Sequence, residues 1–148
     1  MPQSLSKVLV HLVFSTKHRE PLIPEAIRPR LYAYTVGILD NLKSASIQTG
    51  GVSDHVHSLC TLSRTISQAD LVEELKKGTS KWMKAEGVPV FSWQAGYGAF
   101  SIGESQTEAL IRYIQNQEQH HRKMTFQEEY RQLLDRYKIA YDERYVWD

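Results

Sequence analysis

Cysteine is almost absent from this sequence, because Cys60 is the only one among 148 residues. A single cysteine excludes an internal disulfide and a cysteine-based zinc cluster. It is typical of a reducing compartment, so we expect a cytoplasmic protein. An excess of charge of one sign is also missing, since 18 Lys and Arg against 17 Asp and Glu give a net charge of +1. Any affinity for nucleic acid must therefore come from a local basic patch.

Long apolar runs are missing as well. Residues 1–7 lead into no apolar stretch long enough for a signal peptide or a membrane span, so we expect no membrane partner. What remains is an ordinary composition, 41% hydrophobic and 24% charged, which is typical of a globular protein. A chain of this length buries a sizeable core, and we expect a single domain over residues 1–148.

Hydrophobic periodicity and turn residues predict a definite order of elements. The predicted strands span residues 7–16, 46–52, 55–62 and 91–103, and the predicted helices span residues 28–42, 67–86, 105–121 and 125–137. Capping boxes at Ser105 and Thr125 open the last two helices, and Gly96 or Gly98 predicts a bulge or a close approach in the last strand. The order βαββαβ is that of a ferredoxin-like α+β antiparallel sheet, with the first and third strands as its central pair. The two added C-terminal helices follow, and the first of them can cover the other sheet face.

The sequence Ser-Asp-His-Val-His-Ser-Leu at residues 53–59 is the centre of the functional interpretation. On a strand, His55 and His57 project from the same face. Two neutral imidazoles held in this way make half of a metal site, whereas the alternative is a pair of half-buried polar residues. His11, in the first strand, is interpreted as a core or sheet-face histidine rather than a ligand. The decision depends on which other side chains reach the face of the two histidines.

A second pair of residues lies on the predicted helix 105–121. Tyr113 and Gln117 are four residues apart and share a face with apolar neighbours. Tyr113 alone is typical of a core aromatic. Gln117 must find partners, because an unsatisfied buried amide costs about 1–3 kcal/mol, and a metal ion on the facing sheet would supply one. Two imidazoles and an amide leave a divalent ion its full charge, which suits a phosphodiester substrate and a tyrosine nucleophile.

These residues carry a resemblance to a known family. The segment His55-Val56-His57 resembles the His-hydrophobic-His motif of HUH endonucleases, with Asp54 immediately before it. Residues 113–121, Tyr-Ile-Gln-Asn-Gln-Glu-Gln-His-His, resemble the catalytic helix of their small single-tyrosine branch, the insertion-sequence-200-like transposases. Residues 12–17, 93–101 and 141–145 are also similar, so the likeness runs in order along nearly the whole chain.

The resemblance implies a reaction and its site. His55, His57 and Gln117 would bind Mg²⁺ or Mn²⁺, and Tyr113 would attack single-stranded DNA at hairpin-bearing ends. The products would be a 5′-phosphotyrosine and a free 3′-OH. The family works as a homodimer and often sets the tyrosine helix of one subunit against the histidines of the other, so the tyrosine could act in cis or in trans. The resemblance leaves open whether this copy moves an element or serves its host as a repeat-associated nuclease.

Other residues are candidates for supporting roles. The predicted helix 67–86 carries a stripe of lysines that could track a DNA backbone, with a solvated face as the alternative, namely Lys76, Lys77, Lys81 and Lys84. Arg112, Arg122 and Lys123 flank the tyrosine helix and could neutralise DNA near the scissile phosphate. Asp54, His120 and His121 could orient the metal ligands, although helix-end histidines are also favoured by the helix dipole alone.

Two rival functions compete with the transposase interpretation. A zinc hydrolase would need further His or Asp ligands close to the two histidines, and residues 58–60 supply none. A non-catalytic RRM-like module for single-stranded nucleic acid shares the predicted fold, but it would present aromatic platforms on its central strands. Val10, Leu12 and Phe14 are more typical of core residues than of such a platform. Metal-dependent nicking of single-stranded DNA would separate the enzyme from the binding module.

Overall fold

The computed structural model describes residues 2–148. Within these residues the chain forms a four-stranded antiparallel sheet of order β2-β3-β1-β4. The strands are β1 (Leu9–Ser15), β2 (Ser46–Gly51), β3 (His55–Thr61) and β4 (Gly98–Ile102). The helices are α1 (Arg28–Asn41), α2 (Gln68–Ala85), α3 (Thr107–Gln115), α4 (Gln117–His120) and α5 (Phe126–Arg136). The predicted α+β ferredoxin-like fold is confirmed, with β1 and β3 as the central pair.

The central strand β1 is buried on both faces, as its continuous apolar run predicts. Alternate residues Val10, Leu12 and Phe14 point to one face and join the core that α1 and α2 cover. His11 and Val13 point to the opposite face, where the C-terminal helices lie. The two layers of helices therefore enclose the sheet and divide its surroundings into an apolar side and a side that contains histidines.

On the histidine side, α3 and α5 pack against different parts of the sheet. Ile114 of α3 joins an apolar cluster with β1 and β3, and Phe126 of α5 packs with Val13. Two glycines permit this approach. A Cβ at Gly50 would lie 3.0 Å from the Ile114 side chain, and one at Gly98 would lie 2.8 Å from the ring of Tyr130. Helix packing against the sheet thus depends on bare backbone at both positions, and the close approach predicted near Gly98 is present.

Local capping explains where α2 and α5 begin. The Ser67 hydroxyl accepts a hydrogen bond from the backbone N–H of Asp70 at 3.0 Å, and the Thr125 hydroxyl accepts one from Glu128 at 3.2 Å. The cap predicted at Thr125 is therefore confirmed, and the helix predicted at 67–86 closely matches α2. None of the helices within residues 2–148 combines the length and apolarity that a membrane crossing requires.

Two predicted elements are wrong in their bounds. The helix predicted over 105–121 is divided at Asn116, whose backbone angles of −98° and 19° depart from α geometry. It also begins later than predicted, because a 3-10 turn at Glu104–Gln106 comes first. The Gln106 side chain, rather than the Ser105 box, caps the Gly103 N–H at 3.1 Å.

The strand predicted over 91–103 covers only Gly98–Ile102. The residues before it follow the end of β1 irregularly, with Gln94 N donating to Ser15 O at 2.9 Å and Lys17 N donating to Ser92 O at 2.8 Å. The ammonium of Lys76 then binds three successive carbonyls, those of residues 94–96, at 2.7, 3.2 and 2.6 Å. A segment whose carbonyls are turned toward one side chain cannot continue the sheet ladder.

Candidate active site

Strand β3 supplies two imidazoles to the histidine side of the sheet. Alternation places His55 and His57 on the same face, opposite Ser15 and Val13 of β1. Both side chains are fully buried, and their ring centroids are 5.2 Å apart. The structure therefore brings the two histidines together beneath the C-terminal helices, which is the arrangement that their spacing on a strand predicts.

The C-terminal helices bring Tyr113 and Gln117 to the same place. Tyr113 lies in the last turn of α3, with its ring centroid 5.8 Å from that of His57. Gln117 opens α4 and is buried, and its Oε1 accepts a hydrogen bond from His55 Nε2 at 3.0 Å. The polar partner that a buried amide requires is therefore an imidazole. All of these residues belong to one chain, and within it the Tyr113 ring lies against the His57 ring.

Glu129 of α5 lies at the centre of the cluster, and its carboxylate is buried with 1% of the residue exposed. Its Oε1 faces three imidazoles, at 3.1 Å from His57 Nε2, 3.3 Å from His55 Nε2 and 3.2 Å from His121 Nε2. Its Oε2 accepts hydrogen bonds from the Tyr113 hydroxyl and, at 3.1 Å, from Gln117 Nε2. The carboxylate thus joins the histidine group to the tyrosine.

Each of the three histidines has a hydrogen-bond partner at its Nδ1 atom, on the side of the ring away from Glu129. Asp54 Oδ1 lies 2.7 Å from His55 Nδ1, and the Met124 carbonyl lies 2.7 Å from His121 Nδ1. His57 Nδ1 lies 2.8 Å from the Nε2 of His11. A partner at Nδ1 fixes the ring and leaves Nε2 directed into the cluster, which is how proteins orient metal-ligating histidines.

Burial and mutual contact shift the ionisation of these groups. Burial disfavours the charged form of His55, but hydrogen bonds to Asp54 and Glu129 outweigh it and raise the pKa of His55 to about 9. Burial also opposes the Glu129 carboxylate, yet the nearby imidazoles of His57, His121 and His55 hold its pKa well below the usual value. Glu129 therefore stays ionised in the interior.

The tyrosine responds in the opposite direction. Burial and the neighbouring Glu129 carboxylate raise the pKa of Tyr113 far above its ordinary value, so its hydroxyl is protonated at neutral pH. His120 is half-buried beside it, with Nε2 3.4 Å from the hydroxyl oxygen. Of the three residues predicted to support the ligands, Asp54 contacts His55, His120 contacts Tyr113, and His121 directs its Nε2 into the cluster itself.

The predicted basic residues fall on two different surfaces. Arg122 and Lys123 line a cleft of about 890 Å³ that reaches Asp54 and His121, next to the cluster. Arg112 is exposed on α3. The lysine stripe of α2 lies behind the sheet, because α2 covers the face opposite the histidines. Within that stripe the ammonium of Lys76 is bound to loop carbonyls, while Lys77, Lys81 and Lys84 are exposed.

The sequence did not lead us to predict Glu129 as a site residue, and it did not predict that His11 contacts His57. Glu129 follows the capping residue Glu128, and it falls on the apolar stripe of Phe126, Tyr130 and Leu133 at helical spacing. A carboxylate on such a stripe must find partners, so the argument applied to Gln117 could have found it. His11 lies opposite Leu59, and its ring contacts that of His57 only because of the register of β1 and β3, which the sequence does not specify.

The donor atoms of this cluster fit a divalent metal ion. His55, His57, His121 and Glu129 each offer one ligand atom, and these atoms lie within 4.8 Å of one another. The Nε2 of His121 is buried, yet it makes no hydrogen bond within residues 2–148. An orphaned imidazole nitrogen that faces a carboxylate and two further imidazoles is what a metal ion would satisfy.

The sheet order and this cluster together define an α+β protein with a candidate metal centre on one face of its sheet. Residues 4–117 match the family model described as "Transposase IS200 like". The chain therefore belongs to the IS200-like transposase family, and the resemblance identified from its sequence is confirmed. A search among curated proteins gives no match.

Solved structures support the fold. One is a protein from Deinococcus radiodurans R1 described as a candidate transposase. It is similar with a TM-score of 0.63 and 20% identity, over 79% of this chain and 98% of that one. Another is a REP-associated tyrosine transposase bound to a REP hairpin, similar with a TM-score of 0.60 and 15% identity, over 82% of this chain and 73% of that one. At these identities the likeness establishes the shared architecture.

Proposed function

We propose that this chain nicks and rejoins single-stranded DNA at hairpin-bearing ends, with Tyr113 as the nucleophile and a divalent ion held by His55, His57 and Gln117. One observation carries the proposal: the Tyr113 hydroxyl and the imidazoles of the candidate metal centre contact the two oxygens of the same buried carboxylate. Family membership supports transposition as the activity, and the similar REP-associated protein, which is bound to a hairpin, supports hairpin DNA as the substrate.

The proposed reaction begins with the protonated Tyr113 hydroxyl. Its oxygen attacks the phosphorus of a DNA phosphodiester, the bond from phosphorus to the 3′ oxygen breaks, and a 5′-phosphotyrosine and a free 3′-OH result. The phenol proton passes to water by way of the Glu129 oxygen that accepts its hydrogen bond, and the departing 3′ oxygen takes a proton from water, so Glu129 is ionised before and after the step. A divalent ion bound in the centre supplies charge that polarises the non-bridging phosphate oxygens. Attack of a 3′-OH on the phosphotyrosine reverses these steps and rejoins DNA.

The surroundings of Tyr113 support the approach of a phosphate. A pocket of about 280 Å³ opens beside the ring and is lined by His11, Leu110 and Arg136 among others. Arg136 brings positive charge to this side, and Arg122 and Lys123 bring it to the larger cleft on the other. A DNA strand that crosses the cluster between them would meet basic groups at both ends.

The alternative function, a non-catalytic RRM-like binding module, has less support. Such a module stacks bases on aromatic residues of an open sheet face. Here both faces carry helices within residues 2–148, and Phe14 and Phe100 are buried in the two cores. Nucleic-acid binding by this protein would therefore have to use helix and loop surfaces. The homodimer that the family resemblance implies remains a proposal, although a cluster complete within one chain does not require a partner's tyrosine.

The function is tested by covalent capture. The protein is incubated with Mn²⁺ and a pool of hairpin oligonucleotides with randomised single-stranded flanks, and denaturing gels separate protein–DNA adducts from free DNA. A 5′-phosphotyrosine retains a label at the 3′ end of the DNA and releases a label at its 5′ end. Peptide mass spectrometry is expected to locate the adduct at Tyr113, and EDTA to prevent it. Binding of the hairpins without any adduct would contradict the proposal and favour the binding module.

A further inference from the structure

The feature that carries a further inference is the buried carboxylate of Glu129. It lies in α5, beyond residues 4–117 that match the family model. A charged group that is 1% exposed is retained only where partners offset the loss of water. Glu129 packs its two oxygens among four imidazoles, an amide and a phenol. This carboxylate is thus built into the cluster rather than placed beside it.

The tautomers of the histidines show what the cluster lacks. The Met124 carbonyl and the Asp54 carboxylate can only accept, so Nδ1 of His121 and Nδ1 of His55 both carry a proton. In the neutral form of His121, Nε2 is then a lone pair directed at Glu129 Oε1 at 3.2 Å, whereas the Nε2 of His55 keeps its proton and donates it to Gln117 Oε1. Lone pairs facing a carboxylate repel it unless a proton or a cation lies between them.

The separations within the cluster match those between neighbouring ligands of one ion. Ligand atoms that bind a metal at about 2.0–2.2 Å in tetrahedral geometry lie about 3.3–3.5 Å apart. The distances from Glu129 Oε1 to the three Nε2 atoms are 3.1, 3.3 and 3.2 Å, so a small movement of the carboxylate would admit an ion. The orphaned Nε2 of His121 gains a partner in the same event.

We propose that Glu129 and His121 are direct ligands of the metal centre, and that this set selects Mn²⁺ or a related transition ion over Mg²⁺. The inference rests on the metal site of the proposed function and extends it with residues outside the matched region. Imidazole nitrogens suit first-row transition ions, whereas Mg²⁺ prefers oxygen ligands and keeps several waters. An anionic ligand also lets the ion bind before DNA arrives, because its charge is offset by the protein alone.

The test measures metal binding in the absence of DNA. Titration with Mn²⁺, followed by the loss of the free-ion EPR signal, and calorimetric titration with Mg²⁺ give the two affinities. Wild-type protein is expected to bind Mn²⁺ at least tenfold more tightly than Mg²⁺. Glu129→Gln and His121→Asn should each weaken Mn²⁺ binding by at least about tenfold, since even outer partners of metal ligands are worth 10–100-fold.

Matched controls separate ligand loss from general damage. Asp135→Asn removes an exposed carboxylate from the same helix, and His18→Asn removes an exposed imidazole. Both should bind Mn²⁺ as the wild type does. Thermal unfolding in EDTA checks that each variant is folded, and His121→Asn gives an independent reading if Glu129→Gln is not. Unchanged Mn²⁺ affinity in the folded ligand variants, or equal wild-type affinities for Mg²⁺ and Mn²⁺, would overturn the inference.

The outcome is distinguishable from that of the proposed function. A wild-type protein that binds Mn²⁺ through Glu129 but forms no DNA adduct would keep the ligand assignment and remove the nuclease. If the wild type forms the adduct at Tyr113 while Glu129→Gln and His121→Asn bind Mn²⁺ normally, the nuclease function is kept and the ligand assignment is wrong.

Discussion

The hydroxyl of Tyr113 donates a hydrogen bond to the carboxylate of Glu129, which belongs to the last helix of the same chain. The other oxygen of that carboxylate lies 3.1 Å from His57 Nε2, and His57 in turn contacts His11 at 2.8 Å. A continuous line of polar contacts thus runs from the candidate nucleophile into the centre of the sheet. Substitutions of residues along this line are therefore expected to affect activity, stability or both.

Tyr113→Phe is expected to abolish the protein–DNA adduct while leaving hairpin affinity within about twofold of wild type. Loss of the covalent nucleophile removes the chemical step and little binding energy. Tyr145→Phe, which changes an exposed tyrosine, is the matched control and should retain the adduct. Covalent capture and filter binding measure the two quantities. An adduct that persists in Tyr113→Phe, or that moves to Tyr97, would refute the assignment.

Neutralising Arg122 and Lys123 together, both to Gln, is expected to weaken binding of single-stranded DNA and to flatten its salt dependence. Each lost phosphate contact lowers the slope of log affinity against log salt by about 0.7, so the double change should lower it by roughly 1.4. The comparison set is Lys77, Lys81 and Lys84, which lie on the helix behind the sheet and should have a smaller effect. A larger effect of those three lysines would place the DNA path on α2 instead.

Lys76→Met is expected to destabilise the fold rather than only to weaken DNA binding. Its ammonium is the donor to the three carbonyls of residues 94–96, two of them in part-buried contacts, and a hydrogen bond to a charged group contributes about 1.5–3 kcal/mol. Lys77→Met is the control, because the Lys77 side chain is exposed and makes only a 3.8 Å ion pair with Glu74. Urea unfolding at pH 7 measures both variants. Equal free energies of unfolding for the two would show that the carbonyl contacts contribute nothing.

The metal-free protein is expected to lose stability as the pH rises from 6.5 to 8. The pKa of His55 is raised to about 9 in the folded state, from 6.5 when unfolded, by its bonds to Asp54 and Glu129 despite burial. Its contribution is therefore fully present below pH 6.5 and is lost as the pH rises through 9, with about 2 kcal/mol lost by pH 8. The range stops there because burial lowers the pKa of Lys76 to about 8, which acts in the opposite direction above it.

Urea unfolding in EDTA at several pH values tests this dependence. Asp54→Asn should reduce the slope, because a neutral amide no longer stabilises the charged imidazole. His57 and His11 act in the opposite direction, because burial lowers their pKa values, but most of their effect falls below pH 7, where the unfolded histidines lose their protons. A flat profile in the wild type between pH 6.5 and 8 would contradict the assignment of a charged His55.

Local patterns predict the parts of the site that depend on single elements. The period of a strand pairs His55 with His57, and the period of a helix pairs Tyr113 with Gln117, even though Asn116 interrupts that helix. The match of the elements to a βαββαβ order predicts the sheet. Each of these inferences needs only neighbours in sequence and one fold rule.

The features that the sequence did not predict depend on contacts between elements that are distant in sequence. Glu129 becomes part of the centre only because α5 packs on Val13 and Phe100 of the sheet, a contact between distant segments. His121 was a candidate for support alone, since nothing in its helix-end position shows that Nε2 turns inward. The late beginning of the last strand, at Gly98 instead of residue 91, likewise depends on a lysine of a distant helix, which binds the preceding carbonyls.

The proposed use of Tyr113 and the histidines of one chain has a genetic consequence. A His57→Ala copy and a Tyr113→Phe copy produced in the same cell would not rescue each other, because neither subunit could borrow what it lacks. Exchange of helices between subunits would instead give one repaired site in each mixed pair. For the same reason, a damaged copy should not be dominant over an intact one. Selection would then act on each gene copy by itself, even where several copies share a cell.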